Sequence, residues 1–105
     1  MSVETAETAF LRAAIAAHRD ALDAILERYQ AANPRLFGSV ARGDATSESD
    51  IDLLVDLMPR GGNELRVAGM AEELSGLLGT RVDVVAESLL RGGVSARALA
   101  DSVAV

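Results

Sequence analysis

Hydrophobic side chains in the first third of the chain recur at alternating steps of four and three residues, with charged residues on the other faces. This is the period of an amphipathic helix that packs one stripe against a core. We therefore predict one helix over residues 3–32, ended by the Asn33-Pro34 pair. The stripe consists of Leu11, Ile15, His18, Leu22, Ile25 and Tyr29.

A second helical stripe follows in the second half of the chain. Asn63 is expected to cap a helix that runs to about Leu78, and Gly79 stands where a left-handed glycine commonly ends one. Gly69 and Gly76 lie inside it, each at a cost of about 1 kcal/mol relative to alanine. The apolar face consists of Val67, Met70, Ala71, Leu74, Leu77 and Leu78.

Three further segments have the apolar character of β-strands, at residues 35–38, 50–57 and 81–86. A short helix is predicted over residues 39–43, and Ser95 is expected to cap a final helix through Val105. The predicted order is α-β-α-β-α-β-α. This order gives a fold of the α/β (α+β) class, a small mixed β-sheet flanked by helices.

The composition narrows the chemistry that such a fold can support. The chain has 105 residues, half of them hydrophobic and a quarter charged, so we expect one globular domain over residues 1–105. It has no cysteine and one histidine, which excludes disulfides, a thiolate nucleophile, cysteine-ligated metals and a site built from several histidines. A metal would have to be a hard ion held by oxygen ligands.

The net charge of −6, with no basic stripe, argues against direct binding to nucleic acid. The acidity either serves solubility alone or belongs in part to a carboxylate site that receives cations. Two divalent ions would reduce the net charge to −2. The acidic N-terminal segment has no secretory pattern, and no apolar run approaches the roughly 20 residues that span a bilayer. We expect a cytoplasmic protein that makes no contact with membranes.

Two aspartates interrupt the strongest strand pattern. Side chains alternate between the faces of a strand, so Asp50 and Asp52 share one face with Cα atoms about 6.6 Å apart, and Ile51 faces a core. Two carboxylates this close repel each other unless a cation lies between them. Asp83 interrupts the third strand in the same way. If the two strands are neighbours, the three carboxylates converge on a site suited to two Mg²⁺ ions.

A complementary anion site precedes these aspartates. Gly38 allows a ligand to approach the backbone closely, Ser39 offers a hydroxyl, and the start of the following helix presents free N–H groups. Arg42, one turn into that helix, is placed to pair with a phosphate. The alternatives are that Ser39 only caps the helix and that Arg42 is only a solvated side chain.

The aspartates have a structural alternative as well. Asp50, Asp52 and Asp83 would then lie on the polar face of an edge strand that meets water. Asp56 lies further along the same strand face as Asp52, and we expect it to be structural or on the surface.

The stretch GSVARGDATSESDID resembles the G-S-x10-D-x-D signature of the polymerase-β-like nucleotidyltransferases. Gly38 and Ser39 are followed by ten residues and then by Asp50 and Asp52, and Asp83 stands where that superfamily carries its third carboxylate. Within the superfamily the chain is similar to the small MNT type. These minimal nucleotidyltransferases occur as antitoxins of HEPN ribonuclease toxins.

The resemblance implies a mechanism and a partner. Members of the superfamily bind a nucleoside triphosphate, here expected to be ATP, together with two Mg²⁺ ions. By similarity, Gly38 and Ser39 would hold the terminal phosphates, Asp50 and Asp52 would bind both metals, and Asp83 would bind the metal nearest the attacking hydroxyl. In the MNT antitoxins the acceptor of AMP is a tyrosine of the HEPN-type toxin encoded nearby.

Three functions follow from these features. The favoured one is Mg²⁺-dependent transfer of AMP to the partner protein, because 105 residues are expected to leave no room for a separate acceptor domain. The second is a non-catalytic antitoxin that neutralises the toxin by stoichiometric binding, its acidic surface covering a basic RNA-binding face. The third is a transferase for a small molecule, with an acceptor site assembled across a homodimer.

Overall fold

The structure, a computed structural model, describes residues 4–59, 61–86 and 102–105. The elements in these ranges are α1 (Ala6–Ala17), α2 (Arg19–Arg28), β1 (Ala31–Phe37), α3 (Gly38–Arg42), β2 (Ile51–Leu57), α4 (Asn63–Leu78), β3 (Val82–Ala86) and β4 (Val103–Ala104). The strands form one sheet in the order β3-β2-β1-β4. β1 pairs antiparallel with β2 and β4, and β2 pairs parallel with β3, which confirms the predicted α/β class with a small mixed sheet.

One hydrophobic core joins the described helices to a single face of the sheet. Ile51, Leu53 and Val55 alternate along β2 and are buried in this core, as are Val82 and Val84 on β3. Because alternate side chains point to opposite faces of a strand, the aspartates of β2 and β3 lie on the side of the sheet away from this core. The helices contribute Leu11, Ile15, Leu22, Ile25, Leu26, Val40, Met70 and Leu74.

The first predicted helix is two helices in the structure. α1 ends at His18, whose φ and ψ of −111° and 20° depart from helical values, and α2 resumes at Arg19. The imidazole Nδ1 of His18 lies 2.9 Å from the carbonyl oxygen of Ala14, and the side chain is exposed instead of packed on the stripe. The apolar period continues across the break, so the pattern could not reveal it.

The end predicted for that helix is also wrong. The chain reverses at Gln30, whose φ is 56°, and β1 begins at Ala31, so Pro34 lies inside a strand. The register between β1 and β2 shifts between Ala32 and Arg35. An irregularity of this kind accommodates proline, which has no N–H to contribute to the ladder.

A buried arginine stabilises this reversal. Arg66 on α4 is 7% exposed, and its guanidinium donates hydrogen bonds to the carbonyl oxygens of Tyr29, Gln30 and Met58 at 2.6 to 3.0 Å. One side chain thereby joins α4 to the end of α2 and to the end of β2. In the sequence Arg66 resembles any solvated helix residue, because its acceptors are backbone carbonyls of distant segments.

The termini of the later helices differ from the prediction. Gly62, with a φ of 67°, is the N-cap of α4 and Asn63 is its first residue, so the predicted Asn63 cap is wrong. Gly79 ends α4 in the left-handed region with a φ of 70°, as predicted. Within the described ranges, neither α4 nor any shorter helix has both the length and the apolar composition needed to cross a bilayer.

The predicted final helix is wrong at its C-terminal end. Val103–Ala104 forms β4, which pairs with Arg35 and Leu36 of β1. The backbone N–H of Val105 donates to the carbonyl oxygen of Pro34 at 3.3 Å. β-Branched valines suit such an edge position. Ser95 and the predicted start of this helix lie outside the described residues.

We expect Gly76→Ala to stabilise the protein by about 1 kcal/mol, because Gly76 lies inside α4 and, apart from its chain neighbours and the nearby backbone of α4, no atom of the described residues is within 4 Å of an added Cβ. Gly69→Ala should forfeit that gain, because its Cβ would lie 2.9 Å from Cε1 of Tyr29, whose hydroxyl donates a hydrogen bond to Glu73. Urea unfolding compares the two variants. Equal stabilisation by both would contradict the packing of Tyr29 against α4.

Candidate functional site

The candidate site lies where β2 and β3 run side by side. In their parallel register Ile51 is opposite Val82 and Asp52 is opposite Asp83, so the two strands are neighbours, which is the condition on which the predicted convergence of the carboxylates depends. Asp50 comes immediately before β2. The three predicted carboxylates therefore belong to two adjacent strands at one end of the sheet, and each is partly exposed.

This arrangement raises the pKa of the Asp52 carboxyl group. Partial burial raises the pKa of its carboxyl group, and the negative charges of Asp83 and Asp50 raise that pKa further. The positive charges of Arg42 and Arg81 act in the opposite direction on the pKa of Asp52. Asp52 thus lies in the electrostatic field of the other two carboxylates, which is the condition that favours a bound cation.

Gly38 brings the two halves of the motif into contact. Its φ of +70° lies in the left-handed region, and the preceding residue, Phe37, is opposite Asp52 in the β1–β2 pair. A Cβ atom on Gly38 would overlap Oδ2 of Asp52 and lie 3.3 Å from its Cγ. The backbone conformation therefore favours glycine at this position, and a larger residue would also have to displace the Asp52 carboxylate.

Ser39 and Arg42 lie on the short helix α3. The N-cap of α3 is Phe37, no side chain caps this helix, and the Ser39 hydroxyl forms no hydrogen bond within the described part of the chain. The alternative that Ser39 serves as a helix cap therefore finds no support. Arg42 is exposed, with its Nε 3.3 Å from Oδ2 of Asp44.

Two threonines at the start of α1 hold the connection between the two halves of the motif. The buried hydroxyl of Thr8 accepts a hydrogen bond from the Ala45 N–H at 2.9 Å, and the Thr5 hydroxyl donates to the Ala45 carbonyl at 2.6 Å. The Thr5 N–H donates to the carbonyl of Gly43 at 2.9 Å. Sequence reasoning missed both residues, although threonine before an apolar helical stripe is a recognised start signal.

Arg81 is a further residue that sequence reasoning did not single out. Its Nε lies 3.4 Å from Oδ1 of Asp83 and 3.7 Å from Oδ2 of Asp50, and its side chain is 72% exposed. Its carbonyl oxygen accepts a hydrogen bond from the Ile51 N–H at 3.0 Å. The only sequence signal was a basic residue two positions before Asp83, where both side chains share a strand face.

The donor atoms of this cluster suit a hard divalent cation, because Asp50, Asp52 and Asp83 offer carboxylate oxygens on rigid strands. As the side chains are placed, no three acidic, histidine or cysteine residues among those described form a group that could hold a metal ion. The guanidinium of Arg81 instead lies within reach of Asp50 and Asp83.

Asp56 is separate from this cluster in its interactions. Its Oδ1 accepts a hydrogen bond from Nη2 of Arg35 at 2.6 Å, and its Oδ2 accepts one from Nδ2 of Asn33 at 3.2 Å. These contacts agree with the structural role predicted for Asp56.

Comparisons with known proteins agree with the motif. A family model described as "Nucleotidyltransferase domain" matches residues 18–105. Protein adenylyltransferase MntA of Thermococcus cleftensis is 38% identical over 81 residues, which are 75% of this chain and 79% of that protein. Putative protein adenylyltransferase MJ0128 of Methanocaldococcus jannaschii is 35% identical over 65 residues, which are 62% of this chain and 65% of that protein.

A solved structure agrees as well. It is described as that of a putative minimal nucleotidyltransferase and aligns with a TM-score of 0.76 at 38% identity. The alignment covers 90% of this chain and 95% of the solved one.

Gly38→Ala should destabilise the protein by about 3 kcal/mol, about 1–2 from the positive φ and the rest from overlap with Asp52. Gly43→Ala is the matched control, because its φ is +86° but its Cβ would meet nothing closer than Cα of Glu4 at 3.8 Å. Chemical unfolding measures both. In an Asp52→Ala background, Gly38→Ala should cost no more than Gly43→Ala, and an unchanged excess would refute the contact.

Asp52→Asn should raise the melting temperature at neutral pH without divalent cations. Because the pKa of Asp52 is raised in the fold, its ionised form is less favourable there than in the unfolded chain, so wild type loses stability as pH rises from the ordinary value of 3.8 through the folded pKa. The advantage of the variant should therefore shrink as pH falls. Thermal unfolding across pH 3 to 8 tests this.

Asp56→Asn is the control for that series, since it makes the same change on the same strand but removes the partner of Arg35. It should lower the melting temperature at neutral pH. A melting temperature lowered equally by both substitutions would show that Asp52 is not under electrostatic stress.

Proposed function

Since this chain belongs to the nucleotidyltransferase domain family and is a nucleotidyltransferase enzyme, as its motif predicts, we propose that its acceptor is a protein, to which it transfers AMP from ATP with Mg²⁺. The names of the two relatives, one a protein adenylyltransferase and the other a putative protein adenylyltransferase, support the choice of acceptor and of transferred group. We further propose that the acceptor is a tyrosine hydroxyl of a HEPN-type toxin encoded nearby. The protein would then act as its antitoxin in the cytoplasm.

The contact between Gly38 and Asp52 gives this proposal its strongest structural support. It joins the Gly-Ser turn, where a triphosphate would bind, to the strand pair that carries Asp52 and Asp83. A phosphate held at the turn would therefore lie beside the carboxylates. Proximity of this kind is the main contribution that a protein makes to phosphoryl and nucleotidyl transfer.

In the proposed complex, Asp50 and Asp52 would hold two Mg²⁺ ions and Asp83 would hold one of them. When bound, the ions offset the negative charge that builds on the phosphate in the transition state. The rigid pairing of β2 with β3 keeps these carboxylates in place while charge develops.

The Gly-Ser turn positions the nucleotide. The backbone at Gly38 is open to close approach, and Arg42 adds positive charge nearby. The Ser39 hydroxyl, which has no hydrogen-bond partner among the described residues, would donate to a terminal phosphate. The acceptor oxygen forms a bond to the α-phosphorus as the bond from that phosphorus to the β-bridging oxygen breaks. Pyrophosphate leaves, and the hydroxyl proton passes to solvent.

Incubation of the protein with the neighbouring gene product, Mg²⁺ and ATP labelled at the α-phosphate should transfer label to that partner. ATP labelled at the γ-phosphate should transfer none, because pyrophosphate departs. Asp52→Asn should lower the rate by about 100-fold or more, since metal-assisted charge stabilisation contributes several kcal/mol. Asp56→Asn, a matched change on the same strand, should retain most of the activity.

Neutralisation in cells distinguishes catalysis from stoichiometric binding. We expect wild type to protect cells that express the toxin and Asp50→Ala to fail to protect them, although both proteins should bind the toxin. If Asp50→Ala protects as well as wild type and no label appears on the partner, the adenylylation proposal fails and the protein acts by binding alone.

A further inference from the structure

Arg81 forms an ion pair with each of two carboxylates that the proposed metal site requires. The distances from its Nε, 3.4 Å to Asp83 and 3.7 Å to Asp50, exceed the 2.7–2.9 Å or so of strong charge-assisted hydrogen bonds. The side chain is also 72% exposed, so water and salt weaken both pairs. These contacts compensate charge, but they are weak enough for a divalent cation to displace.

The backbone at this position is held far more firmly than the side chain. The Arg81 carbonyl accepts the Ile51 N–H at 3.0 Å, directly before the paired residues of β2 and β3. A change in side-chain torsions alone would therefore move the guanidinium away from the carboxylates. Asp50, Asp52 and Asp83 would keep their backbone positions during this change.

We propose that Arg81 is a displaceable counter-ion that partly neutralises the charge of Asp50 and Asp83 when no divalent cation is bound and leaves them when one binds. This inference rests on the proposed metal site and describes how that site exists without its ions. Asp52 forms no ion pair within the described part of the chain, so it is the carboxylate available for the first contact with a metal.

Competition between Arg81 and a divalent cation for Asp50 and Asp83 couples metal binding to nucleotide binding. Arg81 opposes metal binding as long as the carboxylates are its only anionic partners. A triphosphate at the Gly-Ser turn gives the displaced guanidinium a second anion, so nucleotide and metal each favour binding of the other. The metal would then bind more tightly to the nucleotide complex than to the protein without nucleotide.

The test is the affinity of the nucleotide-free protein for Mn²⁺, measured from the electron paramagnetic resonance signal of the free ion. Arg81→Gln should bind Mn²⁺ about three- to tenfold more tightly than wild type, because the ion no longer displaces two exposed ion pairs. A merely structural residue would not give tighter binding when removed.

Arg28→Gln is the matched control, since it also removes one exposed positive charge that is paired with a carboxylate, here Glu73. Arg28 lies at the end of α2, among the helices that pack on the other face of the sheet. We expect its affinity for Mn²⁺ to stay within twofold of wild type. A gain equal to that of Arg81→Gln would assign the effect to net charge and overturn the inference.

A second measurement follows Arg81 itself in the wild-type protein by nuclear magnetic resonance. The Nε–H resonance of Arg81, assigned by its absence from Arg81→Lys, should shift when Mg²⁺ is added to wild type and stay unchanged in Asp52→Asn. If wild type binds Mn²⁺ but Arg81→Gln binds it equally or more weakly, the inference is overturned and the proposed function is not. If neither wild type nor Arg81→Gln binds Mn²⁺, the metal site fails and the inference fails with it.

Discussion

Parallel pairing of β2 with β3 is the constraint on which the site depends. It places Asp52 opposite Asp83, and the backbone ladder keeps the Cα atoms of these two residues side by side. Like charges held in this way oppose folding until a cation joins them. The opposite faces of the same strands are buried against the helices, and the free energy of this burial offsets the repulsion. Charge balance at the site is thus a consequence of sheet register.

Several contacts outside the β2–β3 pair help to fix the backbone around these carboxylates. Gly38 lets the turn approach Asp52 more closely than any side chain would permit, and Thr5 and Thr8 attach the connecting loop to α1. Arg66 fixes the ends of α2 and β2 on the far side of the molecule. All of these contacts act on the backbone. A site whose elements are fixed in this way loses little geometry when a substrate or ion arrives.

Arg81 relates the metal site that the motif predicts to the observed arrangement of side chains. The motif predicts that the three carboxylates act together, whereas the described residues, as their side chains are placed, form no group of three metal ligands. A guanidinium between Asp50 and Asp83 reconciles the two findings, since it occupies the place that a cation is proposed to take. The roles of Asp50, Asp52 and Asp83 as metal ligands stay predictions of the motif.

Residue spacing was sufficient for several features that depend on near neighbours in the chain: the stripe of α4, its end at Gly79, and the motif that identified the family, although it misplaced the cap of α4 at Asn63. It failed at His18, at Pro34 and at Val103, and it did not reveal the contacts of Arg81. A helical period persists across a break, and a proline or a terminal valine joins a strand only when a partner strand accepts it. An ion pair across two strands likewise exists only in one register. Such features depend on long-range pairing, which only the folded chain decides.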